Sequence, residues 1–274
     1  MQQNPYLKKY IDLENKIATC YAEKRKSLDL SYSLLYKLPQ ASLETLWTKL
    51  LEITWLEELD LEYNMLTYIP AEIDKLKKLE VLNLNSNRLK ELPKEIKELT
   101  HLKILGLSNN KIEKLPLEIF ELINLKKLNL ANNELTELNK NIGKLFKLEE
   151  LILDYNHIAE LPQEIKYLTN LKVLCINSNK LIKLPVEIGK LVNLEVLCLP
   201  GNKLKCIPAE IGKLVKLKTL NILNNSIRNL PAECKNLISI QECYHDILSP
   251  QFAPKNLSSA WKIDTKSLRN QYNP

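Results

Sequence analysis

The chain has 274 residues, of which 45% are hydrophobic and 26% charged, and its 39 basic and 33 acidic side chains leave a net charge of +6. This modest positive excess does not require a nucleic-acid or membrane partner. The N-terminal sequence lacks the apolar core of a secretory signal, and no run approaches the about 18 apolar residues of a membrane helix. We therefore expect no transmembrane segment and a cytoplasmic location, with export left open.

Residues 6–23 carry apolar side chains three, four and seven positions apart, which predicts an amphipathic helix. Its apolar face is expected to cover the open end of the repeat array that follows, because terminal repeats are otherwise half exposed. A membrane-surface helix is the alternative, although the stripe is short and the polar side carries both charges. The predicted face consists of Tyr6, Leu7, Tyr10, Ile11, Ile17, Ala18 and Tyr21.

From Arg25 onward the chain repeats itself, and the clearest copy starts at Leu79 and ends at His101. The period is 23 residues, and an irregular copy from Arg25 precedes eight regular ones. A period of this length indicates a solenoid, in which neighbouring copies stack and share one core. The regular copies begin at Leu56, Leu79, Leu102, Leu125, Leu148, Leu171, Leu194 and Leu217.

Within a copy, numbered from its first Leu, apolar residues occupy positions 1, 4, 6, 11, 14, 18 and 21. Positions 4 to 6 alternate as in a strand, and positions 11 to 21 have the spacing of a short helix or 3₁₀ segment. Pro occupies position 15 in eight of nine copies, and Asn139 replaces it in the fifth, where we expect a local irregularity. The first copy is longer by an insertion near residues 40–55, which predicts a longer helix with Ser42 as a candidate N-cap.

Asparagine occupies position 9 of every regular copy, and a buried amide can bond backbone groups of its own and the adjacent coil. We interpret these side chains as a structural ladder rather than a ligand site. The asparagine ladder consists of Asn64, Asn87, Asn110, Asn133, Asn156, Asn179, Asn202 and Asn225.

The pattern LxxLxLxxNxLxxLPxxIxxLxx resembles the 23-residue "LP" leucine-rich repeats of spirochaete-type bacterial proteins, and is similar to those of Ras-group scaffolds. The resemblance implies an α/β solenoid, a right-handed horseshoe with a parallel sheet on its concave face and short helices or 3₁₀ segments on its convex face. It also implies partner binding on the concave face. We predict an N-terminal helical cap at 1–24, nine repeats at 25–239 and a C-terminal cap at 240–274.

Positions 3, 5, 7 and 8 flank the core leucines of each strand and are expected to face outward. At the N-terminal end they are acidic and aromatic, which would match a basic partner segment, the alternative being an ordinary solvated face. These residues are Asp29, Tyr32, Glu58, Asp60, Glu62 and Tyr63.

Farther along, the same positions are apolar, as in the centre of a protein contact surface. The alternative is that β-branched residues simply favour strands. This central cluster comprises Ile152, Val173, Cys175, Val196 and Cys198, with Tyr155 and His157 beside them.

A basic row lies beyond the ladder and could meet phosphates, but glutamates interrupt it and no aromatic residues interleave, so a solvated rim is expected instead. The row is Arg88, Lys90, Lys111, Lys114, Lys180, Lys183, Lys203, Lys205 and Arg228.

The six cysteines contain no CxxC pair and are expected to be free thiols, so we predict no metal site. No phosphate-cradling glycine loop or paired-histidine motif occurs, and we predict neither cofactor nor enzymatic activity. The predicted function is binding of an unidentified protein or peptide through the concave face. An anion-binding rim and an exported bacterial adhesin or effector, with a role in virulence, are the alternatives, and the oligomeric state stays open.

Overall fold

The computed structural model describes residues 5–246, with side chains from residue 8 onward. Two α-helices, α1 (Pro5–Ala22) and α2 (Gln40–Leu50), precede most of the strands. The ten strands are β1 (Ser27–Asp29), β2 (Glu58–Asp60), β3 (Val81–Asn83), β4 (Ile104–Gly106), β5 (Lys127–Asn129), β6 (Glu150–Ile152), β7 (Val173–Cys175), β8 (Val196–Cys198), β9 (Thr219–Asn221) and β10 (Glu242–Tyr244).

The strands form one parallel sheet in chain order, β1 to β10. From β2 onward each residue pairs with the residue 23 positions later, as Leu59 does with Leu82 and Leu82 with Leu105. One strand per period, always in the same register, is the geometry of a solenoid. The predicted α/β solenoid fold is confirmed.

The core lies between the sheet and a layer of 3₁₀ helices. In the copy that begins at Leu79, the side chains of Leu79, Leu82, Leu84 and Leu89 are completely buried. Each coil thus contributes leucines that only its neighbours can cover. The 3₁₀ helices are η1 (Leu35–Lys37), η2 (Ala71–Lys75), η3 (Lys94–Glu98), η4 (Leu117–Glu121), η5 (Lys140–Lys144), η6 (Gln163–Tyr167), η7 (Val186–Lys190), η8 (Ala209–Lys213) and η9 (Ala232–Asn236).

The irregularity expected at Asn139 does not appear in the helix that follows it. Pro116 and the other prolines that precede η2 to η9 have φ near −65° and ψ near 148°, and Asn139 has φ −60° and ψ 141°. Its side chain accepts a hydrogen bond from the backbone N–H of Asn141 at 2.9 Å. A side-chain cap therefore replaces the ring constraint of proline.

A different residue separates these coils. Phe120 lies at position 19, where three later copies have glycine, and its ring is completely buried. Helices η4 and η5 pack less closely than the other successive pairs from η2 to η9. We infer that the Phe120 ring acts as a wedge between them.

Helix α1 buries a face that only partly coincides with the predicted one, since Tyr10 and Ile17 belong to both. Leu13, Ile17 and Cys20 are buried and Tyr10 packs against the core, whereas Ile11, Ala18 and Tyr21 are exposed. The helix is rotated so that its more C-terminal apolar residues meet α2 and β1. The side chains of Tyr6 and Leu7 lie outside the described part.

Helix α2 begins two residues before Ser42. Its N-cap is Pro39, without a side-chain hydrogen bond, and Ser42 lies in the first turn, where its N–H donates to the Pro39 carbonyl at 2.9 Å. The buried face of α2 consists of Leu43, Leu46, Trp47 and Leu50.

Strand β10 extends the sheet one strand past the ninth copy, with Cys243 paired to Leu220. Most of the predicted C-terminal cap, residues 247–274, lies outside the described residues. The division into cap, repeats and cap therefore stays a prediction. Among residues 5–246, neither helix is long and apolar enough to cross a membrane.

Candidate functional site

The outer face of the sheet carries side chains that the leucine core does not use. Positions 3 and 5 of each strand flank the buried position 4, so they point to the opposite side from the core. Because successive strands are in register, equal positions form rows across the sheet, such as Ile152, Cys175, Cys198 and Asn221. These rows make up the outer face of the sheet.

The central cluster lies on this face, but its members differ in accessibility. Tyr155 is 58% exposed and His157 is exposed, while Ile152, Val173 and Val196 are partly buried.

The two thiols of the cluster are not accessible, which corrects the expectation that they face solvent. Cys175 is 2% exposed and Cys198 7%. Neighbouring strands are only about 4.8 Å apart, so the larger flanking side chains of Ile152 and Asn221 cover a short thiol. The hydrogen bond with the Cys198 thiol, and then burial, raise the pKa of Cys175, and both cysteines are free. A protonated, covered thiol is neither a nucleophile nor a metal ligand.

Asp154 is a buried carboxyl next to Tyr155, and the sequence search did not single it out. It is 8% exposed and accepts a hydrogen bond from the Asn177 backbone N–H at 2.7 Å. Burial raises its pKa to about 6, against the opposing effect of the hydrogen bonds from Asn177. The signal in the sequence is an acid at position 7, where the three preceding copies have Asn, Ser and Ala and the next has Asn.

At the N-terminal end, the predicted acidic and aromatic residues do lie together. The rings of Tyr32 and Tyr63 stack with their centroids 4.4 Å apart and their planes at 14°. Asp60 accepts hydrogen bonds from the Glu62 N–H at 2.8 Å and from the Asn83 amide at 3.0 Å. Glu58 is exposed on β2, and Asp29 on β1 accepts from the Ser31 N–H at 2.8 Å. The result is a negative patch beside a flat aromatic surface.

Two apolar residues between these regions were missed by the sequence reasoning. Val81 and Ile104 occupy position 3 of β3 and β4, and Ile104 is 37% exposed. Applying the position-3 rule that selected Val173 would have found both. The ion pair of Lys127 and Glu150, at 2.8 Å, separates them from the central cluster.

The basic row is exposed along its length, and Lys183 pairs with Glu160 at 3.6 Å. No group of three potential His, Cys, Asp or Glu metal ligands occurs within residues 5–246.

The asparagine ladder lies behind the sheet face and connects the coils. The Asn156 amide donates to the carbonyls of Leu153 and Asp154 in its own coil and of Leu130 in the preceding one, and its oxygen accepts from the Leu135 N–H. These bonds engage both the nitrogen and the oxygen of the amide. Asn87, Asn110 and Asn133 make the same set.

Family models match two stretches of the chain. A model described as a leucine-rich repeat region matches residues 94–182, and one for two copies of leucine-rich repeats matches residues 54–98. A comparison with curated protein sequences gives no match.

Several solved structures are similar to most of the chain. The ectodomain of the Arabidopsis thaliana receptor kinase GASSHO1/SCHENGEN3, solved with CASPARIAN STRIP INTEGRITY FACTOR 2, matches 72% of this chain at 34% identity and a TM-score of 0.65, although this is only 25% of that chain. The TDR receptor matches 86% of this chain and 44% of its own, at 25% identity and a TM-score of 0.68.

A leucine-rich-repeat protein of Leptospira interrogans matches over most of both chains. The match covers 85% of this chain and 71% of that one, at 31% identity and a TM-score of 0.63. The chain therefore belongs to the leucine-rich-repeat family.

Proposed function

We propose that the protein is a non-enzymatic binding module that holds a protein or peptide partner on the outer face of its sheet, the concave face of the predicted horseshoe. The observation that carries this proposal is the central cluster. Ile152, Val173 and Val196 form an apolar surface on three adjacent strands, beside an exposed Tyr155. An apolar centre with a tyrosine anchor is typical of contact surfaces.

The solved relatives are compatible with this proposal. The structures of GASSHO1/SCHENGEN3 and of the peptide hormone receptor RGFR1 are described as complexes with CASPARIAN STRIP INTEGRITY FACTOR 2 and RGF2. The same fold therefore serves peptide binding elsewhere.

The test is capture of partners from native lysate, followed by measurement of each purified partner against variants. Changing Ile152, Tyr155 and Val173 to charged residues should reduce affinity by at least tenfold. A matched control places charges at Tyr167 and Val192, which are exposed outside the outer face of the sheet. Undiminished affinity of the first variant would remove the central cluster from consideration.

We further propose that the repeats are of the 23-residue "LP" subclass and that the protein works in a reducing compartment such as the cytoplasm. All six cysteines are free and five of them are buried, a pattern typical of reducing conditions. Detection of the native protein outside the cell would contradict the second statement.

A further inference from the structure

The first two repeats place large apolar side chains on the surface, beside the ends of β1 and β2. Two of them, Tyr32 and Tyr63, form the stacked pair. The next copies have Ser86, Asn109 and Asn132 at the tyrosine position, so the patch is confined to this end. We call it the aromatic edge, and its members, between 36% and 61% exposed, are Tyr32, Leu34, Tyr36, Tyr63, Met65 and Tyr68.

The backbone of the aromatic edge is held in an unfavourable conformation. Tyr32 and Tyr63 have φ of 51° and 55°, and Leu34 and Met65 have φ of 53°. Position 8 is left-handed in other copies too, but position 10 is left-handed only at Leu34 and Met65 among residues 5–246. Residues with large side chains rarely adopt the left-handed region of positive φ. Backbone strain of this kind concentrates at binding sites and active sites.

The charge beside the aromatic edge is mainly negative. Asp29, Glu58, Asp60 and Glu62 form no ion pair within 4.0 Å with the described side chains. Two lysines of α1 do lie at the β1 end, where Lys16 donates to the Asp29 carbonyl at 3.3 Å and Lys9 to the Tyr32 carbonyl at 3.1 Å. Partial desolvation, followed by the neighbouring Tyr63, Glu62 and Asp60, raises the pKa of Tyr32. A cation placed next to Asp60 and Glu62 would therefore meet carboxylates that form no ion pair with the described side chains.

An open depression of about 410 Å³ adjoins the stack, lined by Leu34, Tyr63, Met65, Arg88 and Asn109 among others. Its apolar floor suits a hydrophobic side chain. The Arg88 guanidinium carbon lies 5.9 Å from the centroid of the Tyr36 ring. This charge disfavours a long run of positive charge, so one cation next to one apolar residue fits better than a polybasic segment.

A guanidinium group is the cation that uses all these features. It is planar, stacks on aromatic rings, pairs with carboxylates in a bidentate manner, and is more weakly hydrated than an ammonium group. We propose that the aromatic edge and its carboxylates recognise an extended segment of a partner protein that carries an arginine next to an apolar side chain. This inference rests on the proposed function, because it assigns one part of the partner to one end of the same sheet.

The probe is a fluorescent mixture of ten-residue peptides with Arg-Leu fixed at the centre, measured by anisotropy. Matched mixtures carry citrulline, which is neutral and nearly isosteric, for Arg, or Ser for Leu. The arginine mixture should bind at least tenfold more tightly than the citrulline mixture, and at least threefold more tightly than the serine mixture. Equal binding of the arginine and citrulline mixtures, or no binding of either, would overturn the proposal.

Variants then locate the binding. Tyr32→Asn with Tyr63→Asn removes the stack but keeps the fold, because asparagine occupies this position with positive φ at Asn109 and Asn132. This pair, and separately Asp60→Asn with Glu62→Gln, should each weaken binding of the arginine mixture at least fivefold. The matched control is Tyr167→Asn, which removes an exposed tyrosine outside the outer face of the sheet and should leave this binding unchanged.

The two proposals fail differently. If a captured partner loses affinity with the charged central variant but not with the Tyr32 and Tyr63 pair, the arginine site is wrong and the proposed function stands. If neither variant affects any captured partner, both are wrong. Loss with Tyr167→Asn but not with the Tyr32 and Tyr63 pair in the peptide assay also overturns the arginine site.

Discussion

Asp154 is a single side chain whose ionisation opposes folding. Its carboxyl is almost fully covered, so the charged form loses hydration that one backbone and one side-chain donor of Asn177 only partly replace. A pKa raised from 3.8 to about 6 means that the folded protein holds this proton at a pH where the unfolded chain has released it. Stability from this group is therefore present below about pH 4, declines as the pH rises to about 6, and is absent above.

We expect Asp154→Asn to stabilise the protein at pH 7.5, because an amide oxygen can still accept the Asn177 hydrogen bond without carrying charge. The pKa rise corresponds to roughly 3 kcal/mol as an upper value. At pH 4 the two proteins should unfold with equal free energies. Urea titrations at both pH values measure the difference, and a gain that is the same at pH 4 and pH 7.5 would show that ionisation is not its cause.

Helix α1 illustrates how an element is positioned by its neighbours. Glu14 pairs with Lys49 of α2, and Lys16 donates to the Asp29 carbonyl beside β1 at 3.3 Å. Between these polar contacts, Leu13 and Ile17 are each 2% exposed. The helix therefore packs on both α2 and the first strand, and it covers leucines that no earlier repeat could cover.

Truncating a buried side chain of α1 should destabilise the N-terminal coils. Leu13→Ala is expected to cost about 2–4 kcal/mol, since it removes three buried carbons and leaves a cavity. Ile11→Ala, on the exposed side of the same helix, should cost less than about 0.5 kcal/mol. Hydrogen exchange at the β1 and β2 amides, together with urea unfolding, would measure both changes. Similar costs for the two variants would mean that α1 is not oriented as described.

Across the whole molecule, two different contacts set the distance between coils. On the sheet side, strand pairing holds neighbours about 4.8 Å apart. On the 3₁₀ side, most successive helices from η2 to η9 pack about equally closely whether position 19 is Gly, Asp or Lys, and only η4 and η5, after the buried Phe120, pack less closely. At Gly189 the approach is especially tight, because an added Cβ would lie 2.6 Å from the Glu210 carbonyl oxygen in the next coil.

Gly189→Ala should therefore cost about 1–3 kcal/mol, because the clash is with the backbone of the next coil and cannot be relieved by rotating a side chain. Gly106→Ala is the matched control, since its Cβ would meet only the side-chain ends of Asn83 and Asn85, at 2.8–3.0 Å. Its cost should stay below about 1 kcal/mol. Equal unfolding free energies of the two variants in urea would show that the 3₁₀ layer yields as easily as a surface side chain.

The repeat predicted which side chains lie on the outer face of the sheet, but it did not predict how exposed each of them is. The spacing placed Tyr155, Val173 and Val196 on the outer face correctly. It could not reveal that Cys175 and Cys198 are covered, because burial on a sheet depends on the size of side chains 23 residues away in either direction. For the same reason, the spacing did not indicate that Asp154 is buried.

The spacing of leucine, asparagine and proline was enough to predict the period, the core positions, the order of strand and 3₁₀ segment, and the solenoid. These features depend on local conformation and on a contact with the next copy that recurs every 23 residues. Contacts that occur only once in the chain could be identified only from the folded structure. They are the buried face of α1, the burial of Phe120, the stacking of Tyr32 on Tyr63, and the desolvation of Asp154. Each depends on neighbours that the periodic pattern does not specify, so no repeat unit alone could predict it.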